Sequence, residues 1–338
     1  MSGVNRRQFV LRSAAAVTAV ASAGIVVENL LTRPKPGFDS ADFPPPTGSS
    51  VAVLHASSYE RDLEETVMAG LRLSGVEVRG KSVLLKPNLV EFRADSVVNT
   101  DPRLVAATVV AMRRAGAREV VVAEGPGHRR DTEAIVSASG LLDALADTGA
   151  RFVDLNAATL GQTTLKTRYT GLGRMWLPRP ILDADLVVSM PKLKTHHGVG
   201  VTLSMKNCFG CVPGRVYGWP KNVLHFHGVP NSILDVATAV RPGLAIVDGI
   251  VGMQGDGPIN GYPVEAGVLV FSTDVVAADV TAATLMGIDP DRVPYLREAG
   301  RFLGLRDLDR IEQRGEDVDR SVTSFVPAPG FEKLSVAA

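Results

Sequence analysis

The alternation of short β-branched runs with amphipathic stretches is the feature that most constrains the fold of this chain. Residues 61–73 place apolar side chains at i, i+4 spacing, which predicts a helix with one buried face. Predicted strands cover residues 51–54, 82–86, 119–123, 151–155, 186–190, 244–247 and 268–271. Predicted helices cover residues 61–73, 100–115, 139–148, 231–240, 274–286 and 290–303. This βαβ rhythm predicts an α/β fold, with a mostly parallel sheet flanked by helices.

The chain divides by composition into four parts. Residues 51–310 carry the alternation and are expected to form a single large α/β domain with irregular insertions. Residues 28–50, rich in Pro, Gly and Ser, are interpreted as a tether. Residues 311–338 form a polar, Pro-containing tail that is expected to be loose.

The first 27 residues have the pattern of a twin-arginine signal peptide. Arg6 and Arg7 precede an uncharged stretch over residues 13–27, which is shorter than the roughly 20 residues that a spanning helix needs. A small-x-small cleavage site fits Ala21-Ser22-Ala23. The pattern predicts a protein that folds in the cytoplasm and is exported by the twin-arginine translocation machinery. Membrane attachment is expected only if the signal stays uncleaved.

Charge and aromatic content argue against nucleic-acid binding. Lys plus Arg and Asp plus Glu are equal at 36 each, and aromatic residues make up only 5%. A nucleic-acid binder typically has excess positive charge and aromatic side chains that stack on bases. The two cysteines cannot form a disulfide scaffold, so stability is expected to come from a packed core.

The densest set of chemically active side chains follows the predicted strand at residues 186–190. Ligands of open parallel sheets bind at the carboxyl ends of strands, and Asp248 occupies the same kind of position after residues 244–247. The residues expected to line one cleft are Lys192, Lys194, His196, Lys206, Asn207 and Asp248. In this hypothesis the lysines bind a small anionic substrate, a carboxylate or phosphate. His196 transfers a proton and Asn207 orients a carbonyl or a water. Asp248 serves as a general acid/base or as a ligand for a hard metal.

A glycine-containing segment after residues 119–123 is a second candidate. Gly125 and Gly127 would let a ligand approach the backbone, and Arg129 adds positive charge before a predicted helical segment. The pattern fits a cofactor or anion site and fits an ordinary tight turn equally well.

Cys208 and Cys211 form a Cys-x-x-Cys pair that could bind a metal. With His225 and His227, which share a face if that segment is extended, they would complete a tetrahedral zinc or iron site. A redox-active or structural disulfide and plain packing are the alternatives. A [4Fe–4S] cluster is disfavoured because it normally needs four thiolates.

Several ordered motifs resemble the DUF362 family over roughly residues 50–305. They are Lys86-Pro87-Asn88, Thr100-Asp101-Pro102, Glu124-Gly125-Pro126-Gly127, the 191–196 and 204–210 segments, and the run 248–258. Some members of that family carry a ferredoxin-like module with two Fe–S clusters. The two cysteines here are too few for such a module.

Two functions follow from these patterns. The first is an exported enzyme, metal- or redox-dependent, that acts on a small anion in a cleft lined by Lys, His and Asn. The alternative is a non-catalytic ligand-binding protein of the cell envelope.

Overall fold

A computed structural model of the chain describes residues 37–44, 46–127 and 131–336. Residues 38–338 cluster into one compact unit. The paired arginines and the rest of the predicted signal lie outside the described residues, so the twin-arginine signal stays a prediction. Within the described residues, no helix has the length and apolar character needed to cross a membrane.

The core of the unit is a mixed, mostly parallel sheet. The twelve strands in the described part of the chain are β1 Ser49–His55, β2 Ser82–Pro87, β3 Glu119–Glu124, β4 Arg151–Asp154, β5 Leu160–Thr164, β6 Arg174–Pro178, β7 Leu186–Met190, β8 Lys192–His196, β9 Gly200–Thr202, β10 Leu244–Gln254, β11 Tyr262–Ser272 and β12 Ile311–Gly315. The main path runs β12-β1-β11-β10-β7-β2-β3-β4, β8 pairs with β10 and β9, and β5 and β6 form a separate hairpin. Strands β2, β3, β4, β7 and β10 are joined by parallel pairings, as the alternation predicts.

Helices cover both faces of this sheet. Their bounds are α1 Leu63–Ser74, α2 Pro102–Arg114, α3 Thr132–Ala138, α4 Leu141–Ala146, α5 Arg179–Asp183, α6 Ser204–Asn207, α7 Gly214–Tyr217, α8 Asn222–Phe226, α9 Val229–Val240, α10 Val275–Leu285 and α11 Pro294–Ala299. Along β2, Leu84 packs into one apolar cluster while Val83 and Leu85 pack into the other, because successive strand residues point to opposite faces. The predicted α/β class is confirmed.

The start of α2 follows the sequence signal closely. Asp101 accepts a hydrogen bond from the backbone N–H of Arg103, and Pro102 occupies the first turn. Two other predicted helices are wrong in extent. The stretch 139–148 begins only at Leu141, because Gly140 adopts a left-handed conformation (φ 74°) that separates α3 from α4. The stretch 290–303 is a short 3-10 turn at Pro290–Arg292 and then α11, because a second proline starts a new element at Pro294.

The prediction of a loose C-terminal tail is wrong over its described part. Residues 311–315 form β12, which pairs in parallel with β1 at the edge of the sheet. Phe325 and Leu334 are buried in the main apolar cluster, so two apolar side chains hold a largely polar segment on the domain. The end of the predicted tether is also ordered, since Ser49 and Ser50 belong to β1 and Phe38 stacks on Phe302.

Candidate functional site

A cavity of about 130 Å³ opens at the carboxyl ends of β2 and β3, beside α6. Its lining includes Lys86, Asn88, Glu124, Gly125, Gly127, Lys194, His196, Thr202, Lys206, Asn207, Lys221 and His225. Among the lining residues that the structure describes, four are lysines and Glu124 is the one carboxylate. Four ammonium groups against one carboxylate leave an excess of three positive charges when all are ionised. The side chains that line the cavity therefore give it an excess of positive charge.

Lys86 and Glu124 form a buried ion pair on neighbouring strands. The Lys86 ammonium donates to Glu124, to the carbonyl of Pro87 at 2.8 Å and to Oδ1 of Asn207 at 3.2 Å. Glu124 also accepts from the backbone N–H groups of Leu89 and Gly125. Both groups have their hydrogen bonds within the protein, so the pair forms the floor of the cavity rather than a free base.

Gly210 lies directly against this pair. A Cβ at Gly210 would sit 1.9 Å from Oε1 of Glu124 and 2.5 Å from Nζ of Lys86. Glycine is needed here because any larger residue would displace the ion pair.

Lys221 and Lys194 hold backbone segments together at the wall of the cavity. The Lys221 ammonium donates to the carbonyls of Gly125, Phe209 and Val212. Burial lowers the pKa of Lys221 to about 8. Lys194 donates to the carbonyl of Val98 at 2.8 Å and to that of Pro258 at 3.3 Å, which leaves its third N–H. Burial, and then the charge of Lys206, hold the pKa of Lys194 well below its usual range.

Lys206 is the lining lysine whose ammonium has no polar partner among the described residues. Its Nζ lies 4.3 Å from the centre of the Phe209 ring, and it makes no hydrogen bond or ion pair to any residue that the structure describes. Burial, followed by repulsion from Lys86, lowers the pKa of Lys206 to about 8. A lysine with this pKa is available both to bind an anion and to exchange a proton near neutral pH.

Asn207 organises the floor of the cavity. Its Nδ2 donates to the carbonyl of Lys86 and to Oγ of Ser189, and its Oδ1 accepts from Lys86 and from Nδ2 of Asn88. Both donors and both lone pairs of the Asn207 amide are occupied by the protein. Asn207 lines the predicted cleft, but these contacts make it a positioning residue rather than a group that binds a carbonyl or water.

Two buried polar atoms at the cavity have no hydrogen-bond partner among the described residues: Oδ1 of Asn88 and Oγ1 of Thr202. Asn88 is 7% exposed and Thr202 is 3% exposed. Thr202 pairs directly with Lys194 across β8 and β9, so the two side chains lie on one face of the hairpin. Leaving a buried polar atom unpaired costs about 1–3 kcal/mol, so each of these two atoms is an unsatisfied hydrogen-bonding group at the cavity.

His196 uses one ring nitrogen in a hydrogen bond within the protein, and its other ring nitrogen is available to a ligand. Its Nδ1 accepts from the backbone N–H of Gly198 at 2.9 Å, which places the proton on Nε2 of the neutral ring. Burial, and then the nearby Lys206 charge, hold the pKa of His196 well below its usual range. His196 is therefore a neutral hydrogen-bond donor at the cavity. The adjacent His197 is exposed and faces Asp256 at 3.5 Å.

Lys192 and Asp248 lie apart from this cavity. Nζ of Lys192 is 2.6 Å from Oδ2 of Asp248, both side chains are buried, and the Tyr59 hydroxyl contacts both. Asp248 also accepts from the backbone N–H of Asp101. The structure therefore places these two predicted catalytic residues in an ion pair that joins β8, β10 and the start of α2. Burial, and then the charge of Asp248, raise the pKa of Tyr59.

The glycine segment contributes to the cavity through its backbone. Gly125 and Gly127 both line it, and a Cβ at Gly125 would lie 2.9 Å from the carbonyl oxygen of Gly210. Arg129 lies outside the described residues. The amino end of α3 is capped by Asp131, which accepts from the backbone N–H of Ala134.

The Cys/His set does not have the arrangement that zinc or iron would require. Cys208 and Cys211 are free thiols buried in the apolar cluster, and burial raises the pKa of Cys211 to about 12. His225 and His227 are exposed, and Nδ1 of His225 contacts the carbonyl of Lys221 at 3.1 Å. The described residues contain no group of three or more His, Cys, Asp or Glu side chains placed to hold a metal.

The expected extended conformation of the His-Phe-His segment is wrong. Residues 222–226 form α8, and on a helix side chains two positions apart point in different directions. The thiols and imidazoles therefore do not converge.

Sequence reasoning missed Asn88, Thr202, Lys86, Glu124 and Lys221. A signal was present for two of them: Lys86 follows the apolar run Val83-Leu84-Leu85 near the end of β2, and Glu124 is the last residue of β3. A charged residue in a strand buried on both faces needs a partner, and adjacent parallel strands supply one here. Lys221 carried no local signal, because its role depends on carbonyls from three separate segments.

Comparison with known proteins places the chain in a family. The family model described as "Domain of unknown function (DUF362)" matches residues 83–284, and the chain belongs to this family. The chain is 30% identical over 270 residues to the thylakoid-associated protein sll1697 of Synechocystis sp., covering 76% of this chain and 80% of that protein.

Two solved structures show low similarity. The lactate racemase apoprotein from Thermoanaerobacterium thermosaccharolyticum aligns with a TM-score of 0.40 and 14% identity. That alignment covers 71% of this chain and 57% of the racemase chain. A protein from Thermotoga maritima aligns with a TM-score of 0.29 and 12% identity, covering 60% of this chain and 55% of its own.

Proposed function

We propose that this DUF362 protein is an enzyme that binds a small oxyanion, a carboxylate or a phosphate, in the lysine-lined cavity and exchanges a proton with it. The observation that carries the proposal is Lys206, which lines the cavity and has no hydrogen-bond or ion-pair partner for its ammonium among the described residues. A charge-assisted hydrogen bond from such a lysine to an oxyanion is stronger than a neutral one. The ligand would supply the missing negative charge.

In this proposal, Lys194 and His196 help to bind the anion, and Lys206 transfers the proton. The third N–H of Lys194 and the Nε2–H of His196 are further donors for oxyanion oxygens. Lys206, with its pKa at about 8, exists in both protonation states near neutral pH. Its neutral amine can take a proton from the ligand and its ammonium can return one, while the donors of Lys194 and His196 stabilise the negative charge that the ligand gains. Lys86, Glu124 and Lys221 keep the cavity open by holding its walls.

The proposed location of this activity is outside the cytoplasm. The paired Arg6-Arg7 and the uncharged stretch after them support export by the twin-arginine machinery. The name of the related thylakoid-associated protein is consistent with a place of work at or beyond a membrane.

A combined binding and exchange experiment tests the proposal. The protein is titrated calorimetrically with acetate, glycolate, phosphate and sulfate, with chloride as the background anion. Acetate and glycolate, whose carbon-bound hydrogens exchange with D₂O only when a base removes them, are then incubated with the protein in D₂O and followed by NMR. Saturable binding with product formation or deuterium uptake that Lys206→Met abolishes is the expected result. Saturable binding without chemical change supports the alternative of a non-catalytic ligand-binding protein, and no saturable binding contradicts both functions.

A further inference from the structure

One acceptor stands among the donors of the cavity. Lys194, Lys206 and His196 all present N–H groups, whereas Oδ1 of Asn88 is a buried lone-pair acceptor with no partner among the described residues. An anion alone would satisfy the donors and leave this acceptor unpaired, with its lone pairs facing negative charge. The unpaired acceptor therefore indicates that the ligand has a hydrogen-bond donor in addition to its negative charge.

The orientation of the Asn88 amide is set by its neighbour. Asn207 donates through Nδ2 to Lys86 and Ser189, so its Oδ1 must be the atom that faces Asn88. Only the Nδ2 of Asn88 can donate to that oxygen, and it does so over 3.2 Å. A flipped Asn88 amide would place two acceptor oxygens against each other. Oδ1 is consequently the end of the Asn88 amide that is left without a partner, on a residue that lines the cavity.

Thr202 extends the same polar wall. Its hydroxyl is buried and unpartnered within the described residues, and it can donate or accept. It lies beside Lys194 on the β8–β9 hairpin. A ligand group that donates to Asn88 can therefore have a second polar contact within the same small space.

We infer that the ligand is an oxyanion that carries its own hydroxyl next to the charge, with the hydroxyl donating to Asn88. The inference rests on the proposed anion-binding function and names the ligand class for that same site. Two sources share this chemistry: a 2-hydroxycarboxylate and a monoprotonated phosphate. A cavity of about 130 Å³ is smaller than the roughly 300–1,000 Å³ pockets that hold drug-sized ligands, so the enclosed part of the ligand is a small head group.

Two matched pairs of anions test this inference on the unmodified protein. Glycolate differs from acetate by the hydroxyl, and phosphate differs from sulfate by its O–H at neutral pH. Calorimetric titration should give at least about tenfold tighter binding for the hydroxyl-bearing member of one pair, which corresponds to about 1.4 kcal/mol. A preference within the carboxylate pair identifies a hydroxycarboxylate, and one within the phosphate pair identifies a phosphate.

Asn88→Leu provides the matched variant, since leucine has nearly the same shape without the acceptor. It should reduce the preference to about twofold or less while the hydroxyl-free anion still binds. Equal affinity within both pairs in the unmodified protein overturns the inference and leaves anion binding intact. A preference that survives Asn88→Leu also overturns it. If none of the four anions binds, the proposed function itself fails. If Asn88→Leu does not fold, the affinities of the unmodified protein for the two matched anion pairs decide the inference.

Discussion

Nδ2 of Asn88 donates to Oδ1 of Asn207 across 3.2 Å, and this contact decides which end of the Asn88 amide is left without a partner. Asn207 itself is fixed by Lys86 and Ser189. Asn207, whose hydrogen-bonding groups are all occupied, thus sets the orientation of the Asn88 amide. The arrangement separates residues that contact the ligand from residues that orient them.

Replacing Asn207 should alter ligand preference through Asn88. Asn207→Leu removes the acceptor for Nδ2 of Asn88, so the Asn88 amide can rotate and the preference for hydroxyl-bearing anions should fall to about twofold or less. Asn207→Asp keeps an acceptor and should retain the preference. Calorimetric affinity ratios for glycolate against acetate, or phosphate against sulfate, check this. Loss of stability in both variants with unchanged ratios would show a purely structural role.

Anion affinity should fall as the pH rises above about 8. The pKa of Lys206 is lowered to about 8, so at pH 7 the ammonium that attracts the anion is mostly present and at pH 9 mostly absent. A carboxylate ligand is fully ionised throughout, because its own pKa lies near 4. Titration with the tighter-binding carboxylate from pH 7 to 10 should therefore show a loss of up to about tenfold per pH unit above 8.

Lys221 and Lys194 also have lowered pKa values, so the control compares how steeply anion affinity falls with pH in the unmodified protein and in Lys206→Met. Lys206→Met should bind more weakly at pH 7 and show a shallower decline, with Lys221 and Lys194 accounting for what remains. The same slope in the variant as in the unmodified protein would assign the pH dependence to those two lysines and contradict the role of Lys206.

Breaking the Lys192–Asp248 pair should reduce stability rather than ligand binding. Asp248→Asn leaves a buried ammonium without its counter-charge, which typically costs about 3–5 kcal/mol. Chemical denaturation should show this loss. The double change Lys192→Met with Asp248→Leu should recover most of it, because neither charge is then buried alone. A folded Asp248→Asn protein with unchanged stability and more than tenfold weaker anion binding would restore Asp248 to the ligand site.

Export should depend on the paired arginines. Changing Arg6 and Arg7 to lysine keeps the charge and removes the twin-arginine pattern, so the precursor should remain in the cytoplasm. Arg12→Lys is the matched control, since it is a nearby arginine outside the pair. Cell fractionation and immunoblotting measure the outcome. Equal export of the Arg6/Arg7 variant and the control would contradict the twin-arginine assignment.

The sequence predicted the sheet and the general place of the site for physical reasons. Strands buried on both faces appear as continuous apolar runs, and the residues after them must meet at one edge of a parallel sheet. The structure brings four of the residues named by that reasoning, Lys194, His196, Lys206 and Asn207, to one cavity, and their roles there stay a prediction. The same reasoning also placed Asp248 there, because it does not distinguish neighbouring points along the edge. The partner of Asp248 is Lys192, two residues from Lys194 on β8.

Features that depend on contacts distant in sequence could not be predicted from local pattern. Residues 312–315 carry no large apolar side chain and look loose, yet they form an edge strand with the buried Ile311 because β1 offers unpaired backbone groups. The local sequence of the His-Phe-His segment is compatible with a strand or a helix. In the folded protein it forms the end of helix α8. Asn88 and Thr202 have unpaired atoms because of how side chains distant in sequence pack around them, which no local pattern specifies.

The most direct test of the central claim is the affinity of one small oxyanion for the unmodified protein and for Lys206→Met, with the exposed Lys333→Met as the control. Calorimetry at pH 7 should show about 10- to 100-fold weaker binding for Lys206→Met, because a charge-assisted hydrogen bond contributes about 1.5–3 kcal/mol. Lys333→Met should bind as the unmodified protein does. Equal affinities for all three proteins would contradict the assignment of this cavity as the anion site.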